Sequence, residues 1–294
     1  MTTKPQAARV RIAASPRKLS LSHIAERFLI YLLLSVLSFV FLVPFFWLVS
    51  TSLKPRAQIF ASNWIPDPIV WGNYAEVLRN TDFVLWTRNS LIVTFLAVVS
   101  VAFSSALVAY PFAKMSFPLK GPLFALILAT MMLPGAVTMV PTFLIWKKLN
   151  AVNTFYPLWA GNLFGSAFYI FMLRQFFLTI PNDLKEAAIV DGASHLRIFW
   201  SVMLPLVKPA MLAVILFEFV AKWNDYMTPL IYLNDPRKYT LPLGVATFMN
   251  SAGFETRWDL WMASSVLMTI PIIILFFLGQ RFFIEGIATT GLKG

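Results

Sequence analysis

The chain has 294 residues, 59% of them hydrophobic and only 13% charged, with a formal net charge of +11. An ordinary soluble domain carries about twice that share of charge, so a globular cytosolic protein is excluded and an integral membrane protein is expected. Cysteine is absent, which rules out disulfides, a thiolate nucleophile and a cysteine metal site. The positive charge is spread over the polar segments without the aromatic interleaving of a nucleic-acid surface, so no nucleic acid partner is expected.

In chain order, residues 1–27 form a basic segment with Lys4, Arg9, Arg11, Arg17, Lys18 and Arg27 against one acid, Glu26. Such a cluster ahead of an apolar run stays in the cytoplasm and can also lie against anionic headgroups. The run that follows is too long for a cleaved leader and no small-residue cleavage pattern closes it, so it is read as a span. The windows 28–53, 89–113, 121–146, 149–173 and 260–280 contain no Asp, Glu, Lys or Arg, and each is long enough to cross a bilayer as helix. A sixth apolar stretch, 209–233, is interrupted by Glu218, Lys222 and Asp225. The fold expected is all-α, integral to the membrane, with six transmembrane helices at about 28–52, 88–112, 121–146, 152–175, 209–233 and 260–281. They make one permease-sized domain, 28–284, followed by a cytoplasmic tail, 285–294. Six spans put both termini in the cytoplasm, and the Lys and Arg bias has the matching sign, although Lys147 and Lys148 then fall outside.

The first outer loop, 54–87, carries Trp64, Trp71, Tyr74 and Trp86, which read as interface-belt aromatics, with contact to an extracytoplasmic partner as the alternative. Pro134, Gly135 and Pro141 predict a kink in the third span. In the fifth, Glu218, Lys222 and Asp225 follow one another at helical spacing along one face. Glu218 falls near the bilayer midplane and is expected to pair with Lys222, either as a structural ion pair or beside a water-filled path. Lys222, Trp223, Asn224 and Asp225 combine aromatic faces with hydrogen-bonding groups, which suits a sugar, and with Glu218 they are the candidate pathway-lining residues. No phosphate-binding glycine motif occurs, so any nucleotide is bound by another chain. His23 and His195 lie on separate segments and make no ligand pattern. No clustered nucleophile, base or metal ligand set supports an enzyme.

The stretch 181–209, IPNDLKEAAIVDGASHLRIFWSVMLPLVKP from its preceding Ile180, is mostly polar and sits between two apolar segments. Asp183 with Glu186 three residues on has capping-box spacing and opens a short helix. Gly192 can take a positive φ that other residues resist, so it ends this helix or turns the chain into a second one, expected from about Ser194 to Leu204, with Pro205 and Pro209 punctuating the entry to the next span. Glu186, Ala187, Ala188, Gly192, Val202, Leu204 and Pro205 fall at the spacing of the cytoplasmic EAA loop. Together with Trp47 to Pro55, Trp223-Asn224-Asp225 and the run from Gln280 to Gly294, they resemble the carbohydrate-uptake, maltose-type branch of ABC importer inner-membrane permeases.

That resemblance implies an EAA-type coupling helix between spans 4 and 5 that docks on an ATPase through Glu186, Ala187, Ala188, Asp191, Gly192, Leu204 and Pro205. It implies a second six-span permease as heterodimer partner, two ATP-binding subunits carrying ATP and Mg, and an extracytoplasmic solute-binding protein that delivers a carbohydrate. This chain is then a non-catalytic subunit in the bacterial plasma membrane, without a cofactor of its own. The alternative is an ion-coupled secondary transporter of a small polar solute, with Glu218 and Asp225 as coupling groups. It leaves the 181–209 loop without a use.

Overall fold

The computed structural model describes residues 21–249 and 256–291, with side chains for 25–249 and 256–280. The basic residues before Leu21 and the last three residues lie outside that range. No strand occurs among the described residues. Fourteen helices follow in order: α1 Leu21–Ser52, α2 Gly72–Asn80, α3 Phe83–Lys114, α4 Lys120–Thr130, α5 Gly135–Lys148, α6 Tyr156–Trp159, α7 Ala167–Thr179, α8 Asp183–Val190, α9 His195–Ile198, α10 Leu204–Leu206, α11 Lys208–Trp223, α12 Met227–Tyr232, α13 Leu241–Ala246 and α14 Trp258–Gly291. A helix satisfies its backbone N–H and C=O groups internally, the condition that hydrocarbon imposes on a spanning segment.

Three helices are long and apolar enough to cross a membrane unbroken: Ala25–Ser52 within α1, α3, and Trp258–Gln280 within α14. Three further segments qualify only as bent pairs, α4 with α5 at 98°, Tyr156–Thr179 with α8 at 79°, and His195–Leu206 with α11 at 80°. The sequence windows therefore correspond to three straight helices and three interrupted ones. The third is not kinked but broken. α4 stops at Thr130, and Pro134 in an extended conformation (ψ 136°) starts α5, because the residue before a proline resists helix and Pro134 cannot continue the ladder. The fourth is α6, a 3-10 turn over Ala160–Phe164, Gly165 at φ 79°, and α7. The fifth ends at Trp223 rather than 233, its remainder forming the separate α12. At its other end the expected tail from 285 is helical, since α14 continues to Gly291.

The chain divides into two units at Trp47/Leu48. In the first, α1 carries exposed Phe28, Tyr31, Phe39, Phe41 and Leu42, apolar on every side as a helix surrounded by lipid or protein must be. In the second, α3 is the axis. Ala102, Ser105, Ala106 and Ala109 are buried along it, and small residues at such spacing let helices approach closely where no hydrophobic effect drives them together. Against this stripe pack Tyr169, Ile170, Leu173 and Phe177 of α7, Ile198 of α9, Met203, and Ala210 and Val214 of α11.

A second cluster surrounds the start of α3, where Phe83 and Trp86 meet Val77, Trp223, Leu241, Val245, Leu260 and Ala263. Trp86 is thus a core residue, not a loop aromatic of an interface belt, and its indole N–H donates to the Pro236 carbonyl at 3.1 Å. Trp64 and Trp71 remain exposed, while Tyr74 is partly buried with its hydroxyl 2.6 Å from that of Ser52.

Candidate functional site

The segment that joins α7 to α11 is built to be rigid and two-faced. Lys114, buried at the last turn of α3, donates from Nζ to the Ile180 carbonyl and to Asn182 Oδ1 at 2.9 Å. Lys185 Nζ returns a bond to the Lys114 carbonyl at 2.8 Å. Asn182 is the N-cap of α8, but its side chain makes no cap bond: its backbone is already helical (φ −70°, ψ −25°), not in the extended region of a capping residue, and its oxygen points to Lys114. The capping box read from Asp183 and Glu186 does not form. Both acids lie inside the first turn, where they complement the helix dipole instead.

The far end of α8 closes on Gly192 at φ 78°. Gly192 N–H donates to the Ile189 carbonyl at 2.9 Å and Ala193 N–H to the Ala188 carbonyl at 3.0 Å, the two bonds of a Schellman motif. Ala188 and Ala193 face the core beneath it, completing the apolar contact that accompanies the motif. Ser194 then caps α9, its hydroxyl accepting from Arg197 N–H at 3.4 Å. After Ile198 a π-helical turn, Phe199–Met203, leads to α10. Pro205 lacks the N–H that a regular helix would aim at the Ser201 carbonyl, and widened turns accompany such defects.

One face of this segment belongs to the core: Ile198, Phe199, Met203 and Val207 are buried, with Phe199 5.5 Å from Tyr110 of α3 ring to ring. The outward side is open and mixed, with Val190 87% and Leu196 64% exposed among the exposed Glu186, Asp191 and Arg197, while Trp200, half-exposed, stacks on Phe103 of α3 at 5.4 Å. Of the residues singled out for docking, Glu186, Ala187, Asp191, Gly192 and Pro205 are exposed, Ala188 is half-buried, and Leu204 packs against the core. The exposed Val190 and Leu196, and the buried clamp Lys114, are additions that the sequence pattern did not single out. Lys114 had one visible signal, a cation closing an otherwise uncharged window.

The second candidate region lies on α11. Glu218 is buried and does not pair with Lys222. Its Oε1 accepts from Asn162 Nδ2 at 2.5 Å, and the Tyr169 hydroxyl lies within its electrostatic reach. Lys222 instead donates to the Leu158 carbonyl at 3.1 Å, at the end of α6. The network extends to α3: Ser104 Oγ donates to the Asn162 carbonyl at 2.9 Å, and Ser166 N–H donates to Ser105 Oγ at 3.1 Å. These bonds serve the backbone of the 160–165 break, whose polar groups no regular helix satisfies. Gly165 needs its positive φ there, and a Cβ would meet Ile170 Cδ1 at 3.2 Å.

Beyond Glu218 the pathway candidates separate. Trp223 is fully buried, stacked on Phe219 at 5.6 Å and donating from its indole to the Met268 carbonyl at 3.0 Å. Asn224 is exposed and bonds back to the Val220 carbonyl at 2.8 Å. Asp225 Oδ1 accepts from Thr228 N–H at 3.0 Å, capping α12. Next to these residues a cavity of about 510 Å³ opens between α5 and α12, lined by Thr138, Met139, Thr142, Met227, Thr228 and Tyr232 among others. It lies between the second pieces of two broken segments, where irregular backbone places polar groups beside space.

At the other end of α3 the loop 54–82 is stapled down. Asn73 Nδ2 donates to the carbonyls of Ser52 and Lys54 at 2.9 and 3.1 Å. Arg257 holds Glu76 of α2 at 2.8 Å and Asp259 of α14 at 2.7 Å. Those two carboxylates, Asp259 first, raise the guanidinium above its ordinary value. In the exposed turn before α13, Arg237 hydrogen-bonds Asp235 and holds that carboxyl below the usual carboxylate range.

Helices of membrane length, three of them broken, mark an integral membrane protein, and the segment between α7 and α11 presents exposed residues on its outward side. Residues 103–288 match the family described as binding-protein-dependent transport system inner membrane component, and the chain belongs to it. It is thus an inner-membrane permease subunit of the ABC importers, of the carbohydrate-uptake group. Among its relatives is the sn-glycerol-3-phosphate transport system permease protein UgpE of Yersinia pestis, 33% identical over 266 residues that cover 88% of this chain and 94% of that protein. The arabinooligosaccharides transport system permease protein AraQ of Bacillus subtilis is 31% identical over 273 residues, 91% of this chain and 96% of that one. The fold is shared with a chain of a bacterial ABC transporter involved in the import of the acidic polysaccharide alginate, at a TM-score of 0.81 and 24% identity over 92% of this chain and all of that one. A chain of the alginate transporter in complex with its alginate pentasaccharide-bound periplasmic protein also superposes, at a TM-score of 0.64 and 13% identity, over 90% of this chain and 96% of the other.

Proposed function

We propose that this chain forms, with a second permease of the same fold, the membrane pathway of an ATP-driven importer for a carbohydrate or a carbohydrate-like polar solute. Both termini lie in the cytoplasm, an extracytoplasmic binding protein delivers the solute, and two partner ATPases supply ATP and Mg. The observation that carries this reading is the two-faced 180–207 segment: its inner face is held to α3 and α7 through Lys114, Ile198, Phe199 and Met203, and its outer face exposes Val190 and Leu196. An ATPase seated on the outer face moves the inner one with it, and α3 carries the displacement to the rest of the core. ATP binding then turns the cavity outward and hydrolysis resets it. Sugar or polyol as substrate is supported by the names of the relatives and by the hydroxyl and methionine lining of the α5–α12 cavity.

Gly192→Asp tests the coupling. No neighbouring atom lies within 4 Å of a Cβ built at Gly192, so the substitution acts through the positive φ and the added charge, not through a clash. Straining the left-handed position costs about 1 kcal/mol. The expected outcome is a correctly inserted, assembled complex whose ATP hydrolysis no longer responds to loaded binding protein. Gly192→Asn, of the same size and with the same tolerance of that conformation but uncharged, restores coupling. Normal substrate-stimulated ATPase activity in Gly192→Asp contradicts the docking assignment.

A further inference from the structure

Four cations converge at the end of α3 that meets the docking segment. Lys114 donates to the Ile180 carbonyl and Asn182, Lys185 to the Lys114 carbonyl at 2.8 Å, Lys120 to the Met115 carbonyl at 2.7 Å, and Arg174 through Nε to the Phe112 carbonyl at 3.0 Å. Every acceptor is neutral. Lys120 lies within electrostatic reach of Arg174 and Lys185, and Lys114 within reach of Lys185. Among the described residues none of the four makes an ion pair with a carboxylate. Lys and Arg retain further N–H donors after one bond each, so the cluster has both uncompensated charge and spare donors.

Beside it the surface turns apolar. Arg174 lies over the Phe124 ring at 4.3 Å, and Leu119, Leu123 and Leu126 run from the start of α4 on one side of that helix, 69%, 43% and 64% exposed. A basic cluster at the end of spanning helices, with exposed leucines along the helix that begins beside Lys120, is complementary to a phosphodiester headgroup with its acyl chains along the helix. An acidic protein partner would not need the leucine stripe, and a free phosphate would not use it.

We propose that Lys120, Arg174 and Lys185, with Lys114 behind them, form a binding site for an anionic phospholipid. The lipid neutralises the cluster that holds the docking segment to α3, and so stiffens the joint between them.

The test purifies the importer complex in mild detergent and quantifies bound phosphatidylglycerol by native mass spectrometry, for wild type, Lys120→Gln and Lys120→Gln/Arg174→Gln. Each cation near such a surface is worth about fivefold in affinity. Lys120→Gln is therefore expected to lower retained phosphatidylglycerol about fivefold and the double variant further, while Lys120→Arg keeps it. Because Arg174 also packs on Phe124, the single Lys120 variant decides the matter if the double variant fails to assemble. Reconstitution in phosphatidylcholine vesicles with and without phosphatidylglycerol gives the functional arm: substrate-stimulated ATPase activity rises with phosphatidylglycerol in wild type and responds less in Lys120→Gln. Equal retention in wild type and Lys120→Gln overturns the proposal. So does displacement of the lipid by millimolar inorganic phosphate, which would assign the pocket to a free anion, or recovery of an acidic protein segment at this position in place of lipid.

Discussion

The two ends of α3 are fastened by different chemistry. At its start, Trp86, Asn89 and Ser90 bind the backbone of 236–241 through neutral hydrogen bonds, Asn89 Nδ2 reaching the carbonyls of Arg237 and Tyr239 at 2.9 Å each. Nearby, Arg257 closes its charge on Glu76 and Asp259. At its end, cations donate to carbonyls and no carboxylate among the described residues answers them. A region whose charges and packing are complete within the chain is a finished platform. A region that leaves cations uncompensated and Val190 and Leu196 in the open is built to be completed by something else.

The largest effect that breaks this contrast is expected at the finished end. A Cβ on Gly244 would sit 2.1 Å from Cδ2 of the buried Trp86 ring, which has no room to withdraw. Gly244→Ala is expected to destabilise by about 3 kcal/mol, the upper range of overpacking. Thermal stability of the purified chain in detergent, compared with Gly161→Ala, where no atom lies within 4 Å, checks it.

Next comes the clamp. Lys114→Met keeps the stem but strands the Ile180 carbonyl and Asn182, at about 1–3 kcal/mol. Hydrogen exchange is expected to rise over 181–193 and stay unchanged over 236–245. An equal rise at both ends would mean that α3 has no separable ends.

Smaller is Glu218→Gln, which keeps an acceptor oxygen for Asn162 and loses only the charge assistance, about 1 kcal/mol. Transport per assembled complex is expected to remain near wild type, whereas Glu218→Ala, which removes one acceptor of the Asn162 amide and leaves a void in the buried site, lowers the yield of complex. A large transport defect in assembled Glu218→Gln would return Glu218 to the pathway.

Smallest is the exposed Asp235–Arg237 pair. Its carboxyl is held low, so any stabilisation it lends is present above the ordinary carboxylate range and lost only as pH falls through that lowered value. Stability of wild type and Asp235→Asn is expected to coincide throughout the neutral range, since exposed pairs contribute little.

Much of this was readable in the residues. Composition dictated the membrane, uncharged windows located the segments, and Gly192 in the 181–209 loop takes the positive φ for which it was suited. What was not readable depended on partners distant in sequence. Glu218 and Lys222 have helical pairing distance, yet Asn162 and Leu158, 56 and 64 residues away, take them, because a broken backbone must be satisfied before a charge pair is made. The capping box failed because the helix begins one residue earlier than its spacing requires, with Asp183 already in the first turn and the N-cap Asn182 answering Lys114, 68 residues earlier. Trp86 looked like a belt residue because no local pattern reveals that α13 will close over it. The span breaks had a signal at Pro134, but around 160–165 only Gly161 and Gly165 hinted at one.

The central claim is that the open face around Val190 seats an ATPase. Since the chain has no cysteine, Val190→Cys introduces its only thiol, at a site 87% exposed. The most direct measurement is cross-linking of that thiol to nearby amines in native membranes, with Ile198→Cys as the buried control, and identification of the captured chain by mass spectrometry. Capture of a P-loop ATPase by Val190→Cys and not by Ile198→Cys is the predicted result. Membranes that transport actively while Val190→Cys captures no ATPase would contradict the account.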